Sequence, residues 1–200
     1  MSQNLPIILA SGSQIRAQIL NGADISFEVI SKPVDEAAIK AAMLAEGARL
    51  RDIADALAEA KSIKVSRNTP GLVIGADQIM TMDGVLFDKP PTIKAAKERL
   101  LTMRGKSHKL IGAIVICENG QPVWRHVSVV TLHVREFSDD WLEDYVTAEG
   151  NMMMKSVGAY RFEGRGAQLF KKVDGDSYSI MGLSLLPLLD YLRTRGAILS

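Results

Sequence analysis

HKLIGAIVICENGQPVWRHVSVVTLHV, residues 108–134, holds two long apolar runs separated by Asn119-Gly120. Asn-Gly is a strong hairpin signal, because both central residues of a type I′ turn need positive φ. Runs of this length on either side predict two long antiparallel strands, 108–118 and 123–134. Around them strand and helix signals alternate. PIILA (6–10) precedes a helical QIRAQILN, and FEVIS (27–31) is the next strand candidate. Residues 35–66 read as mostly helical with a break at Gly47, and TPG (69–71) punctuates before the strand LVIGADQIMTM. Asp83-Gly84 is a second hairpin signal, leading into VLF. Thr92 fits the cap of a helix through Leu101, SDDWLEDYVTAEG a short helix, AQLFKKV a strand, and LLPLLDYLRTRG a last helix capped by Ser184. Alternation plus the long hairpin predicts an α/β fold with a mixed, extended sheet, in one domain spanning 1–200.

The composition is that of an ordinary soluble chain: 200 residues, 47% hydrophobic and 24% charged. Lys and Arg number 24 against 23 Asp and Glu, so a broad electrostatic footprint for nucleic acid is not expected. A small anion held by a few local cations is compatible with that balance. The single cysteine, Cys117, excludes an internal disulfide framework and fits a buried hydrophobe in a reducing compartment. The start, MSQNLPIILAS, lacks a basic region and a long apolar run, and no stretch approaches a membrane span. The expectation is a cytoplasmic protein with no membrane partner.

One strand contains an anomaly. VIGADQIM (73–80) carries Asp77 and Gln78 amid apolar residues. An unpaired carboxylate in a dry core costs several kcal/mol, so this one is either solvated in a cleft or matched by cations. Several segments could supply its surroundings. LASGSQIR (9–16) runs from a strand through hydroxyl-bearing residues into a helix start, placing Ser11, Ser13, Arg16 and free backbone N–H groups at one point, which suits phosphate. The plainer alternative is that Ser13 only caps the helix and Arg16 is solvated. VDE (34–36) is at home at a helix N-terminus, and would matter chemically only if another carboxylate came close enough to share a metal. Lys61 lies four residues beyond Leu57 on the apolar stripe Leu50, Ile53, Ala54, Leu57, so it either snorkels or points at an anion. The Asp83-Gly84 hairpin could fold Lys89 back toward Asp77, where a structural ion pair is the plain alternative. His108, His126 and His133 show no zinc spacing, and GxSxG, GxGxxG and P-loop signatures are absent. Met152-Met153-Met154 reads as packing or an interface.

The order of these segments resembles the Maf family of nucleoside-triphosphate pyrophosphatases. The resemblance is carried by LASGSQIR (9–16), VDE (34–36), LAEAKS (57–62), VIGADQ (73–78) and DKP (88–90). It continues through RGKSHKLIGA (104–113), GAYRFEGRGA (158–167) and GDSYSIMGLSL (175–185). It implies hydrolysis of the α–β phosphoanhydride of a nucleoside triphosphate, a divalent cation (Mg²⁺ or Mn²⁺), and a two-lobed α/β structure with the nucleotide in a cleft between the lobes. By the same resemblance Asp77 is the general base, Ser11, Ser13 and Arg16 the phosphate loop, Glu36 a metal-associated acid beside Asp77, and Lys61 and Lys89 the phosphate lysines. A homodimer is compatible with it.

Departures from the family pattern bear on specificity. Gln14-Ile15-Arg16 stands where Pro-Arg-Arg is common, Gln78 where Thr follows the acid, Glu163 where many members have Gln, and Ser184 where a proline is expected. Gln78 and Glu163 resemble the subfamily acting on 7-methyl-GTP, since a carboxylate can accept from guanine N1–H and its exocyclic amine. Ile15 occupies the place of an aromatic that could stack on a base, which points to broader base choice. The alternatives are a broad or dTTP/UTP-type pyrophosphatase and a non-catalytic nucleotide-binding regulator of cell division.

Overall fold

The structure of the protein, a computed structural model, is described for residues 5–199. The first four residues, on which part of the leader expectation rests, lie outside it. Strands are β1 (Ile7–Leu9), β2 (Glu28–Val29), β3 (Leu72–Met82), β4 (Val85–Phe87), β5 (Ser107–Glu118), β6 (Gln121–Val134) and β7 (Phe170–Asp174). Helices are α1 (Gln14–Gly22), α2 (Glu36–Ala45), α3 (Leu50–Ser66), α4 (Ile93–Met103), α5 (Asp139–Glu149), α6 (Ser177–Ile180) and α7 (Leu185–Thr194). Seven strands form one mixed, open sheet in the order β2-β1-β3-β5-β6-β7, with β4 paired to β3. β1 is parallel to β2 and β3, whereas β4 is antiparallel to β3 and β7 antiparallel to β6. The expected α/β class with a mixed sheet is therefore present.

Both hairpins form where the dipeptides placed them. Asp83 and Gly84 have φ of 53° and 79°, and Asn119 and Gly120 have 51° and 74°, the paired positive values a type I′ turn requires. Gly47, with φ of 71°, ends α2 and separates it from α3. Thr92 caps α4 by accepting from the Ala95 N–H at 3.1 Å. The expected strand AQLFKKV is shorter than its apolar content implied. Residues Arg165–Leu169 form a 3-10 turn, and pairing with β6 starts only at Phe170. Gly166 explains the difference: a Cβ there would lie 2.4 Å from the Arg161 carbonyl oxygen, so the chain is folded tightly back on itself. α6, capped by Asp176 onto the Ser179 N–H at 2.8 Å, has no counterpart in the sequence-based expectation.

The chain divides into two compact units. The first comprises the chain as far as Gln78, Gly112–Ser128, and the chain from Gly182 onward. Within it β1 and β3 form the buried parallel centre, and α3 covers them with Ile53, Ala54, Leu57 and Ala58, all fully buried. Cys117 is buried here with its Sγ 3.0 Å from the Ser62 Oγ, and burial pushes its thiol pKa up. That is the small buried hydrophobe the sequence implied. The second unit comprises Ile79–Ile111 and Val129–Met181. Its core packs Met80, Leu100, Met103, Leu132, Tyr145, Met153 and Tyr160. Met153, from the methionine run, is fully buried there, as packing would have it. Among the described residues no helix is long and apolar enough to cross a membrane.

Candidate functional site

The carboxylate of Asp77 lies on β3 with only 9% of its side chain exposed. Lys61 answers the question of its charge. Its Nζ donates to Asp77 Oδ1 at 2.6 Å and lies 2.8 Å from Glu36 Oε1, with its own side chain 16% exposed. One ammonium thus joins two carboxylates, a pair of short charge-assisted contacts. The lysine on the core-facing stripe of α3 points at anions.

The local fold brings these three together for separate reasons. Asp35 caps α2, accepting from the Ala38 N–H at 3.0 Å, and this leaves Glu36, the first helical residue, to reach Lys61. The adjacent acids at 35 and 36 therefore split between a structural and a site role. α3 meets β3 at Gly75. A Cβ at that position would lie 2.1 Å from the Ala58 carbonyl oxygen and 2.8 Å from Ser62 Cβ, so only glycine lets helix and strand come this near. Lys61 and Asp77 flank that contact on their respective elements.

Arg16, in the first turn of α1, is the second cation. Its Nε donates to the Gly182 carbonyl at 2.9 Å, and its Nη1 to the Ala76 carbonyl at 2.8 Å and the Ser11 hydroxyl at 3.0 Å. Burial pushes its guanidinium pKa below the usual range, while Asp77 and Glu36 pull it back up. Arg16 is not a solvated surface residue. It ties the loop after β1, the backbone next to Asp77 and the loop before α7 into one assembly. Ser11, buried, also accepts from the Ser13 N–H at 3.3 Å. Ser13 occupies the α1 cap position without a side-chain cap bond, so helix capping does not account for it.

Gly182 has φ of 92°, and a Cβ there would sit 3.5 Å from Arg16 Nη2 and 3.8 Å from Gln78 Oε1. Gln78 thus lies on the same side of the site as Arg16. The half-buried Ile15 precedes Arg16 on α1. Ser184 Oγ donates to Ser128 Oγ at 3.0 Å and does not cap α7 by its side chain. Ser11, Arg16, Glu36, Lys61, Asp77 and Gln78 are therefore gathered in the first unit. Lys89 and Glu163 are exposed residues of the second unit. The β3–β4 ladder ends at Met80↔Phe87, and Lys61 is a cation paired with Asp77 among the described residues. Sequence reasoning missed the carbonyls of Ala76 and Gly182 and the close approach at Gly75. A glycine inside an otherwise apolar strand was the available signal for the last.

Among the described residues, no three His, Cys, Asp or Glu side chains gather as a metal site. The donor set still suits a hard divalent cation, which binds through one or two carboxylates and takes its other oxygens from phosphate and water. Glu36 and Asp77, already sharing one cation, are the residues that would hold it. Two carboxylates, two cations and a hydroxyl beside a loop of backbone N–H groups can together position a polyphosphate and accept a proton from water.

The profile of the Maf-like protein family matches residues 6–195. A nucleoside triphosphate pyrophosphatase of Caulobacter vibrioides is 50% identical over 96% of this chain and 97% of its own length. One from Maricaulis maris is 51% identical over 96% and 97%, and one from Ruegeria pomeroyi is 47% identical over 97% and 98%.

Proposed function

We propose, from the premise that this chain belongs to the Maf family, that it is a nucleoside triphosphate pyrophosphatase, releasing a monophosphate and pyrophosphate. It is an enzyme of the hydrolase class acting on acid anhydrides, as its relatives are named. The observation that carries the reading is the buried Asp77 carboxylate, held by Lys61 at 2.6 Å beside Glu36 and Arg16.

Asp77 accepts a proton from the attacking water. As the water oxygen bonds to a phosphorus of the anhydride, the bridging P–O bond breaks and its electron pair leaves with pyrophosphate. General-base help of this kind supplies roughly 10²–10⁴ in rate. Lys61 and Lys89 neutralise the charge that builds on the phosphates, and Ser11, Ser13 and Arg16 orient them. Arg16 works largely through the backbone, since its Nε and Nη1 are committed to Gly182, Ala76 and Ser11. A divalent cation held by Glu36 and Asp77 would act as a Lewis acid on phosphate oxygens.

Within this activity the favoured substrate is 7-methyl-GTP, on the strength of Gln78 and Glu163. Gln78 lies near Arg16 and Gly182. Pyrophosphate release with Mg²⁺ or Mn²⁺ across 7-methyl-GTP, GTP, UTP, dTTP and CTP tests both levels. Preference for 7-methyl-GTP is the expected result. Preference for UTP or dTTP would overturn the base assignment alone. Tight nucleotide binding with no turnover would favour the regulator.

A further inference from the structure

We propose that the Lys61 ammonium is a resident counter-ion that occupies the carboxylate pair of the free protein, so that a divalent cation enters the site with a polyphosphate and not ahead of it. The inference rests on the pyrophosphatase reading only for the identity of the polyphosphate.

The argument starts from charge. Asp77 and Glu36 supply two negative charges, and Lys61 and Arg16 supply two positive ones close by. Taken by themselves, these four described groups balance before any ligand arrives. Lys61 Nζ holds Asp77 Oδ1 at 2.6 Å and Glu36 Oε1 at 2.8 Å, and these two carboxylates are the acids a hard cation would use. A divalent ion alone would have to displace a hydrogen-bonded ammonium and leave two excess positive charges between the nearly buried Asp77 and the 45% exposed Glu36. A polyphosphate alone would bring its negative charge against two carboxylates. Arriving together, the ion roughly halves the charge of a nucleoside triphosphate, from about −4 to about −2, and its positive charge meets the carboxylates while the phosphates meet the lysine. The phosphate oxygens also give the displaced ammonium a new acceptor.

The lysine is built for such an exchange. Its side chain is only 16% exposed, so most of its stem is covered. Its head is a compact point charge with three rotatable donors, which can change acceptors while the stem stays. Arginine, with a planar fork, could not do this without moving its stem. Metal and polyphosphate then bind with positive coupling, and the coupling is reciprocal.

The test needs no turnover. Binding of Mn²⁺ alone is measured by the electron paramagnetic resonance signal of the free ion, for the unmodified protein and for Lys61→Met. The variant is expected to bind Mn²⁺ at least about tenfold more tightly, and the gain is expected to vanish in Lys61→Met/Glu36→Gln. Calorimetry with preformed Mn²⁺–triphosphate should show a large advantage of the complex over the bare ion in the unmodified protein and a smaller one in Lys61→Met. Equal Mn²⁺ affinities, or a gain that survives Glu36→Gln, would overturn the proposal. If Lys61→Met does not fold, Lys61→Gln keeps a polar stem without the charge and is judged by the same criteria. A protein that hydrolyses nucleotides but shows no gain would sink this inference alone. One that shows the gain but hydrolyses nothing would sink the pyrophosphatase reading alone.

Discussion

Asp77 sits at the centre of a small set of residues whose substitution should separate chemistry from stability. Asp77→Asn keeps the size and half the hydrogen-bonding capacity, so a folded protein with pyrophosphate release down by roughly 10²–10⁴ is expected. Steady-state kinetics beside a thermal melt would check it, and near-normal turnover would remove Asp77 from the role. Arg16→Lys should fare worse than its conserved charge implies. One ammonium cannot serve the Gly182 and Ala76 carbonyls and the Ser11 hydroxyl together. Each carbonyl left buried without a donor costs about 1–3 kcal/mol, so both the melting temperature and turnover should fall. A variant with an unchanged melting temperature would mean that Arg16 serves the ligand and not the backbone.

Elements place these side chains, and glycine is the instrument. Gly75 sets how near α3 comes to β3, because any Cβ would collide with the Ala58 carbonyl and the Ser62 backbone. Gly75→Ala should cost on the order of 1–3 kcal/mol as overpacking. It should also weaken turnover by pushing the helix that carries Lys61 away from Asp77. Wild-type activity with only a stability loss would show that the lysine follows its carboxylates regardless of the helix.

At this scale the sequence was most readable. The Asn119-Gly120 and Asp83-Gly84 turns follow from φ alone, and the break at Gly47 from helix propensity. Lys61 was located on the apolar stripe, but periodicity could not tell snorkelling from pairing, since that depends on a partner sixteen residues away on another element. The shortened β7 failed for a related reason. The apolar content of residues 167–169 was visible, but the backbone folding around Gly166 that takes them out of the sheet was not. The carbonyls that receive Arg16 carry no side-chain signature at all. Where the resemblance alone supplied Glu163, residue spacing offered no independent handle.

The whole molecule carries a pH signature away from the site. His108 is 1% exposed in the second unit, with its Nε2 2.7 Å from the Tyr160 hydroxyl. Burial first, and the nearby His133 second, push its pKa from 6.5 to about 4. Above pH 6.5 folded and unfolded chains both hold it neutral, and it adds no pH dependence. As pH falls from 6.5 toward 4, the unfolded chain takes up a proton that the folded one refuses, and stability declines by up to about 3 kcal/mol. Urea midpoints measured from pH 7 to pH 4 should show the decline, and His108→Gln should flatten it. A slope unchanged by that substitution would assign the acid sensitivity to other groups.

The two compact units are each assembled from separated stretches of chain, with β3, β5 and β6 passing from one unit to the other in mid-strand, after Gln78, Ile111 and Ser128. Asp77 stands one residue from the first of those crossings. Neither unit is thus a contiguous coding segment, and no single cut in the gene would deliver one without the other. Recombination that shuffles modules between proteins has no clean breakpoint here, nor does a fragment library.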